Sequence, residues 1–92
     1  MENRYKLVYG RQSIKDLSKI DKYQAKLITS WLNKNINDCI NPREVSGYSE
    51  LKGEWKGLVR YRIGNYRIIC DVNEKELIIL AIEIGHRKDI YK

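Results

Sequence analysis

Trp55-Lys56-Gly57-Leu58-Val59-Arg60-Tyr61-Arg62-Ile63, then Gly64-Asn65, then Tyr66-Arg67-Ile68-Ile69-Cys70-Asp71-Val72, is the stretch that decides the fold. Its first arm alternates with period two, so Trp55, Val59, Tyr61 and Ile63 share one face and Lys56, Leu58, Arg60 and Arg62 the other. The aromatic face belongs to a core and the cationic face does not. Gly64-Asn65 reads as a two-residue hairpin loop, because Gly adopts positive φ freely and Asn tolerates it better than most residues. A loop of that length opposes Ile63 to Tyr66 and Arg62 to Arg67, which brings Arg67 onto the face of Arg60 and Arg62. Three guanidinium groups then form one patch.

Beyond Val72 the chain turns through Asn73-Glu74-Lys75-Glu76 into Leu77-Ile78-Ile79-Leu80-Ala81-Ile82. That nearly unbroken apolar run predicts a central strand covered on both faces. If Val72 stays opposite Leu77, then Ile78, Leu80, Ile82, Ile84 and His86 fall on the arginine face, an expectation that a one-residue slip would reverse. The ending Gly85-His86-Arg87-Lys88-Asp89-Ile90-Tyr91 would then bring the only histidine and a terminal tyrosine to the arginine patch, at the rim of an apolar surface suited to a partner.

The first half is helical in pattern. Arg4 to Tyr9 predicts a short strand ending at Gly10. Ser13-Ile14-Lys15-Asp16 is expected to cap a short helix carrying Ile14 and Leu17 inward. Asp21 and Gln24 form a capping-box pattern ahead of Leu27, Ile28, Trp31, Leu32 and Ile36, which keep helical spacing. The very short connection predicts an antiparallel helical hairpin. Asn37 to Lys52, with Pro42 and Gly47, reads as irregular. The expected fold is α+β: an N-terminal strand, the helical hairpin, and a three-stranded antiparallel meander completing a four-stranded sheet. All of it forms one domain, residues 1–92.

Composition narrows the function. A chain of 92 residues buries only about 60–65% of its unfolded surface, leaving no room for a second core. The net charge of +6 makes a polyanion, or an acidic protein mimicking one, the default partner. Between Lys52 and Arg67 stand Lys52, Lys56, Arg60, Arg62 and Arg67 against the single acid Glu54. Basic surfaces also merely solubilise, so charge alone does not decide. The N-terminus lacks the apolar core of a signal peptide and no apolar run approaches the ~20 residues of a membrane span, so a soluble, cytoplasmic protein with no membrane role is expected. Cys39 and Cys70 lack paired spacing and read as reduced and structural. No ligand-spaced cluster of His, Asp and Glu occurs, and neither a metal nor another cofactor is expected.

The strand order together with Leu51-Lys52-Gly53, Trp55, Arg60 to Arg67 and Gly85 to Tyr91 resembles the RelE branch of the RelE/ParE toxins of prokaryotic toxin–antitoxin systems. The resemblance spans essentially the whole chain. It implies a toxin that enters the ribosomal A site, against ribosomal RNA, and cuts the messenger there. It also implies a cognate acidic, RelB-like antitoxin that inhibits the toxin within a hetero-oligomer. ParE-like relatives poison DNA gyrase instead and do not need the arginine, histidine and tyrosine constellation. A non-catalytic RNA- or ribosome-binding module is a third possibility.

Cleavage by 2′-OH attack needs a proton acceptor, a proton donor and cations around the transition state. Arginine suits only the last task, because it stays protonated and its fork matches phosphate oxygens. Arg60, Arg67 and Arg87 are therefore assigned to phosphate, with Arg67 and Arg87 matching the family's catalytic arginines. His86 is the natural acid or base. Its counterpart is Tyr91, or Lys52 or Lys56 with a pKa lowered by surrounding positive charge; Tyr91 could instead stack on a base. Arg62, Lys52, Lys56 and Lys88 are assigned to RNA or ribosome binding. Some relatives carry lysines on the strand before the hairpin as the base, where this chain has Leu58 and Arg60, which shifts weight to His86. The plainer readings are an exposed strand face for Arg60 and Arg62, a surface histidine, a tyrosine packed on the sheet, and an Arg67–Asp71 pair worth at most about 1 kcal/mol. Trp31, Trp55 and Tyr61 read as core residues.

Overall fold

A computed structural model describes residues 3–86. Strand β1 (Lys6–Tyr9) leads into helices α1 (Arg11–Lys19) and α2 (Lys22–Asn35), followed by β2 (Ser49–Glu50), β3 (Val59–Ile63), β4 (Tyr66–Asn73) and β5 (Ile78–His86). The strands form one sheet in the order β1-β5-β4-β3-β2. Only the β1–β5 pair is parallel. The expected α+β architecture is present, with one strand more than expected. Within the stretch read as irregular, Ser49 and Glu50 pair with Arg60 and Val59. Two residues give too short an alternation to be seen in sequence.

Helix α2 begins where expected, with the Asp21 carboxylate accepting the Tyr23 and Gln24 amides. Its Ile28 and Leu32, with Ile36 at its C-cap, are spaced by four and buried in one cluster with Tyr61, Ile68, Cys70, Ala81 and Ile84 from the sheet. Each such aliphatic side chain contributes about 1.5–3 kcal/mol by leaving water. Leu27, a quarter turn away, stays 46% exposed.

Helix α1 corrects the sequence reading. It starts at Arg11 with Gly10 as its cap, and Ser13 is a fully buried residue inside the first turn whose hydroxyl donates to the Gly10 carbonyl. Ile14, expected inward, is 56% exposed. The inward face runs through Ser13 and half-buried Leu17, four residues apart, and Ile14 lies about 100° around the helix from Ser13. Trp55 also differs: it sits half-buried in a 3₁₀ turn, Gly53–Trp55, and the strand begins only at Val59.

Tyr61 is the centre of the core. It is fully buried between Trp31 and Tyr48, with ring centroids at 6.1 Å and 5.8 Å, and its hydroxyl donates to the Pro42 carbonyl at 2.8 Å. That bond ties the long connection after α2 to the middle of β3. Burial pushes the phenol well above its ordinary pKa, so it remains a donor. At the other side of the sheet β1 ends in a close approach: a Cβ on Gly10 would lie 2.8 Å from the Ala81 carbonyl oxygen.

Two stability outcomes follow from these contacts. Tyr61→Phe leaves the Pro42 carbonyl without its donor, and urea unfolding is expected to show a loss of about 1–3 kcal/mol. Gly10→Ala pushes β1 against β5 by steric overlap, and the same measurement should show a loss of about 1–3 kcal/mol.

Candidate phosphate-binding face

Pairing of β3 with β4 places Ile63 opposite Tyr66, Arg62 opposite Arg67 and Arg60 opposite Ile69, the register the two-residue loop predicts. Gly64 has φ +57°, whereas Asn65 is not among the residues with positive φ. That combination fits a type II′ turn, which needs glycine only at its first central position. Directly opposed residues share a face, so Arg60, Arg62 and Arg67 lie together on the side away from Val59, Tyr61 and Ile68. Arg67 is only 9% exposed, Arg60 is half-buried and Arg62 is exposed.

Opposing like charges across a strand pair is destabilising. Among the described residues the ion pairs are Lys6–Asp38 and Arg43–Glu74, and neither Arg60 nor Arg62 takes part. Arg60 Nε is buried with no hydrogen-bond partner among the described residues. The arrangement can receive an anion: fixed forked donors, partly withdrawn from water, in a row along one hairpin.

The other side of β4 departs from expectation in two ways. Asn73 Oδ1 accepts the amides of Lys75 and Glu76, and Leu77 takes φ +57°. The longer turn puts Val72 opposite Ile79 instead of Leu77. A slip of two residues preserves the alternation, so Ile78 and Leu80 do fall on the arginine face. The pairing then shifts between Ile69–Glu83 and Cys70–Ala81, leaving Ile82 as the extra residue of a bulge. Beyond it the faces exchange. Ile84 and His86 pair with Ile68 and Tyr66 on the core side, and Glu83 and Gly85 pair with Ile69 and Arg67 on the arginine side.

His86 is therefore on the face opposite the arginines, contrary to the register expected from sequence. Its ring meets Tyr66 edge to face, with centroids 5.7 Å apart and planes at 75°. The two rings help line a cleft of about 380 Å³ between α2 and the hairpin, with Gln24, Leu27 and Ile63. Lys52 and Lys56 flank the Gly53–Trp55 turn, at the end of β3 away from the Gly64-Asn65 loop, and both are exposed. Lys56 lines a groove of about 710 Å³ with Tyr5, Tyr48 and Val72. Both lysines thus stand at the Arg60 end of β3, the end away from Arg62 and the hairpin loop. Arg87, Lys88 and Tyr91 lie outside the described residues.

Glu83 was missed in the sequence, although it is the one charged residue between Leu77 and Gly85. Burial, and then the nearby Asp16 carboxylate, push its pKa above the usual carboxylate range. Asp16 itself is fixed at the edge of β5, with one oxygen accepting the Ile84 amide at 2.9 Å and the other the Gln12 side-chain amide at 2.9 Å. Two acids are thereby held beside the arginine face.

A family model described as "ParE toxin of type II toxin-antitoxin system, parDE" matches residues 7–91. Among solved structures, the RelBE2 toxin–antitoxin complex of Mycobacterium tuberculosis is similar with a TM-score of 0.73 at 16% identity, over 91% of this chain and 99% of that one. The archaeal RelE–RelB complex of Pyrococcus horikoshii gives a TM-score of 0.70 at 26% identity, over 94% and 98%. The RelB–RelE complex of Methanococcus jannaschii gives 0.67 at 26%, over 92% and 95%. A search of curated proteins found no match. With the family match running through nearly all of its length, the chain belongs to the ParE toxins of type II toxin–antitoxin systems, within the RelE/ParE superfamily.

Proposed function

We propose that this toxin, acting as a single domain over residues 1–92, is a metal-independent endoribonuclease that cuts messenger RNA in the ribosomal A site. The observation that carries the reading is the row Arg60, Arg62 and Arg67 on one sheet face. A row of forked guanidinium groups along one face matches the spaced oxygens of a phosphodiester backbone. Arg67, nearly buried, grips the scissile phosphate and the charge that grows on it in the transition state. Arg60 supports it, with Arg87 as the third cation assigned from sequence. Arg62, exposed toward the hairpin tip, holds more distant RNA, as do Lys52, Lys56 and Lys88 along the path to the ribosome. His86 and Tyr91 keep their sequence-assigned places in proton transfer or base stacking. Because His86 shares a face with Tyr66, it would approach the RNA around the hairpin tip and not from within the arginine row.

Similarity to RelE structures solved with RelB supports a partner of the same kind, an acidic RelB-like antitoxin bound in a hetero-oligomer. An acidic segment folding over the arginine face would neutralise it and exclude RNA together.

A second reading has its own support: the matching family model is described by the ParE toxin, so inhibition of DNA gyrase is the alternative. Arg67→Ala separates the two. On programmed ribosomes its messenger cleavage, mapped by primer extension, is expected to fall by about 10²–10³-fold with ribosome affinity changed only a few-fold. A melting curve beside the wild type controls for loss of a nearly buried side chain. No cleavage by the wild type, with gyrase supercoiling inhibited, would assign the chain to gyrase poisoning.

The antitoxin reading has its own check. Growth arrest on expression of the chain should be relieved by co-expression of the acidic protein encoded beside it, and persisting arrest would refute that partner.

A further inference from the structure

We propose that Glu83 is the proton acceptor for the attacking ribose 2′-hydroxyl, delivered to the arginine face by the bulge at Ile82. The inference rests on the nuclease reading above and names a residue for its least settled step.

Three observations carry it. The first is placement. Without the bulge, alternation along β5 would turn Glu83 into the core with Ile79 and Ala81; with it, Glu83 pairs with Ile69 on the arginine face. Bulges occur preferentially where a side chain must be re-aimed beside a site. Arg67 lies diagonally across β4 from Glu83, a Cα separation of about 7–8 Å that long side chains close from both ends. Arg60 stands two strands away, roughly 10 Å, so a phosphate held between the arginines has its adjoining ribose within reach of the carboxylate.

The second is charge. A carboxylate on a surface that receives a polyanion weakens plain binding, so a surface serving only to bind would be better without it. A reaction that must remove a hydroxyl proton gives it a purpose. The third is the surroundings. Glu83 is half-buried and faces Asp16 from α1, Arg67 from β4 and, one strand on, Arg60; Asp71 and Lys6 share the face further along, opposite Leu80 and Ile78. Both Asp16 oxygens already accept hydrogen bonds and Asp71 lies four residues along β4 from Arg67, so Glu83 is the nearer carboxylate with an oxygen to take a proton. Burial and Asp16 make it a stronger base than an ordinary carboxylate.

In the step itself, the 2′-hydroxyl proton passes to a Glu83 oxygen as the 2′-oxygen bonds to phosphorus. The bond from phosphorus to the 5′-oxygen breaks, that oxygen takes a proton from water, and the proton on Glu83 returns to the hydroxide so formed. The products are a 2′,3′-cyclic phosphate and a 5′-hydroxyl. No electrons are exchanged.

The test is single-turnover cleavage of messenger on programmed ribosomes across a pH series. Glu83→Gln should cleave about 10²–10⁴-fold more slowly with ribosome affinity unchanged, and should lose the acid limb of the pH profile. Asp16→Asn removes the neighbouring negative charge and should move that limb to lower pH. Glu83→Gln cleaving within about threefold of the wild type with the same pH profile would overturn the proposal while leaving the nuclease reading intact. Equal losses of affinity and cleavage in Glu83→Gln would also overturn it, by making the residue structural. If the wild type itself does not cut, the nuclease reading falls and Glu83's role falls with it. Folding offers a separate readout. A carboxyl whose folded pKa is raised loses stability as pH climbs from the unfolded value through the folded one, so Glu83→Gln should melt above the wild type at pH 7 and alongside it in acid.

Discussion

One extra residue in β5 decides which chemistry faces where. Alternation is rigid along a strand, so a sheet cannot present Ala81 inward and Ile84 inward unless the pairing slips between them. The core requires both: Ala81 is fully buried and Ile84 is 3% exposed, in one cluster with α2. The bulge at Ile82 reconciles them, and as a by-product it sends Glu83 to the arginines and His86 to Tyr66. Helix α1 secures the arrangement, because β1 stops pairing at Tyr9 opposite Ala81 and the next stretch of β5 edge is held by Asp16 on the Ile84 amide. Packing demands at the core thereby set the polarity of the outer face.

Much of this was legible in the sequence, for identifiable reasons. The hairpin around Gly64-Asn65 was, since a two-residue loop allows one register and that register fixes the arginine row. Helix α2 was, because its cap and its four-residue spacing agree. The turn at Asn73 was not: Leu77 adopts a left-handed conformation that a leucine does not advertise, and the side-chain bonds of Asn73 that support it look like any polar loop. The bulge was invisible for a deeper reason. In the run Leu77 to Ile82 both faces are apolar, so hydrophobic pattern cannot reveal where alternation slips. Glu83 carried a signal, a lone charge in an apolar strand, but only the register gives it a face. Ile14 misled because isoleucine is usually buried and serine usually exposed, whereas here Ser13 is buried, Ile14 is not, and Ser13 looks like a cap.

The same economy governs charge and stability. A domain this small has little margin, yet it opposes Arg62 to Arg67 directly and buries most of the latter. On the other side of the sheet Tyr61 is enclosed by aromatic rings and its hydroxyl is satisfied by Pro42. Cys70 belongs to that side as well: burial, with Asp71 adding to it, pushes its thiol up to about 12, which keeps it protonated and inert. The middle of that face is thus inert, and its titratable pair, His86 and Tyr66, stands at the hairpin end.

The sheet's two margins bear on what becomes of the chain by itself. On the outer side of β1, Asn37 Oδ1 accepts the Leu7 amide, Cys39 O accepts the Tyr5 amide and the Asp38 amide donates to the Tyr5 carbonyl. On the outer side of β3, Gly47 O accepts the Arg62 amide, in a crossing so tight that a Cβ on Gly47 would meet the Arg62 carbonyl oxygen at 2.9 Å. At the far margin of the described residues, β2 is only two residues long, too brief a template for another molecule to zip onto. Edge-to-edge strand pairing between copies is thereby discouraged at both of these margins.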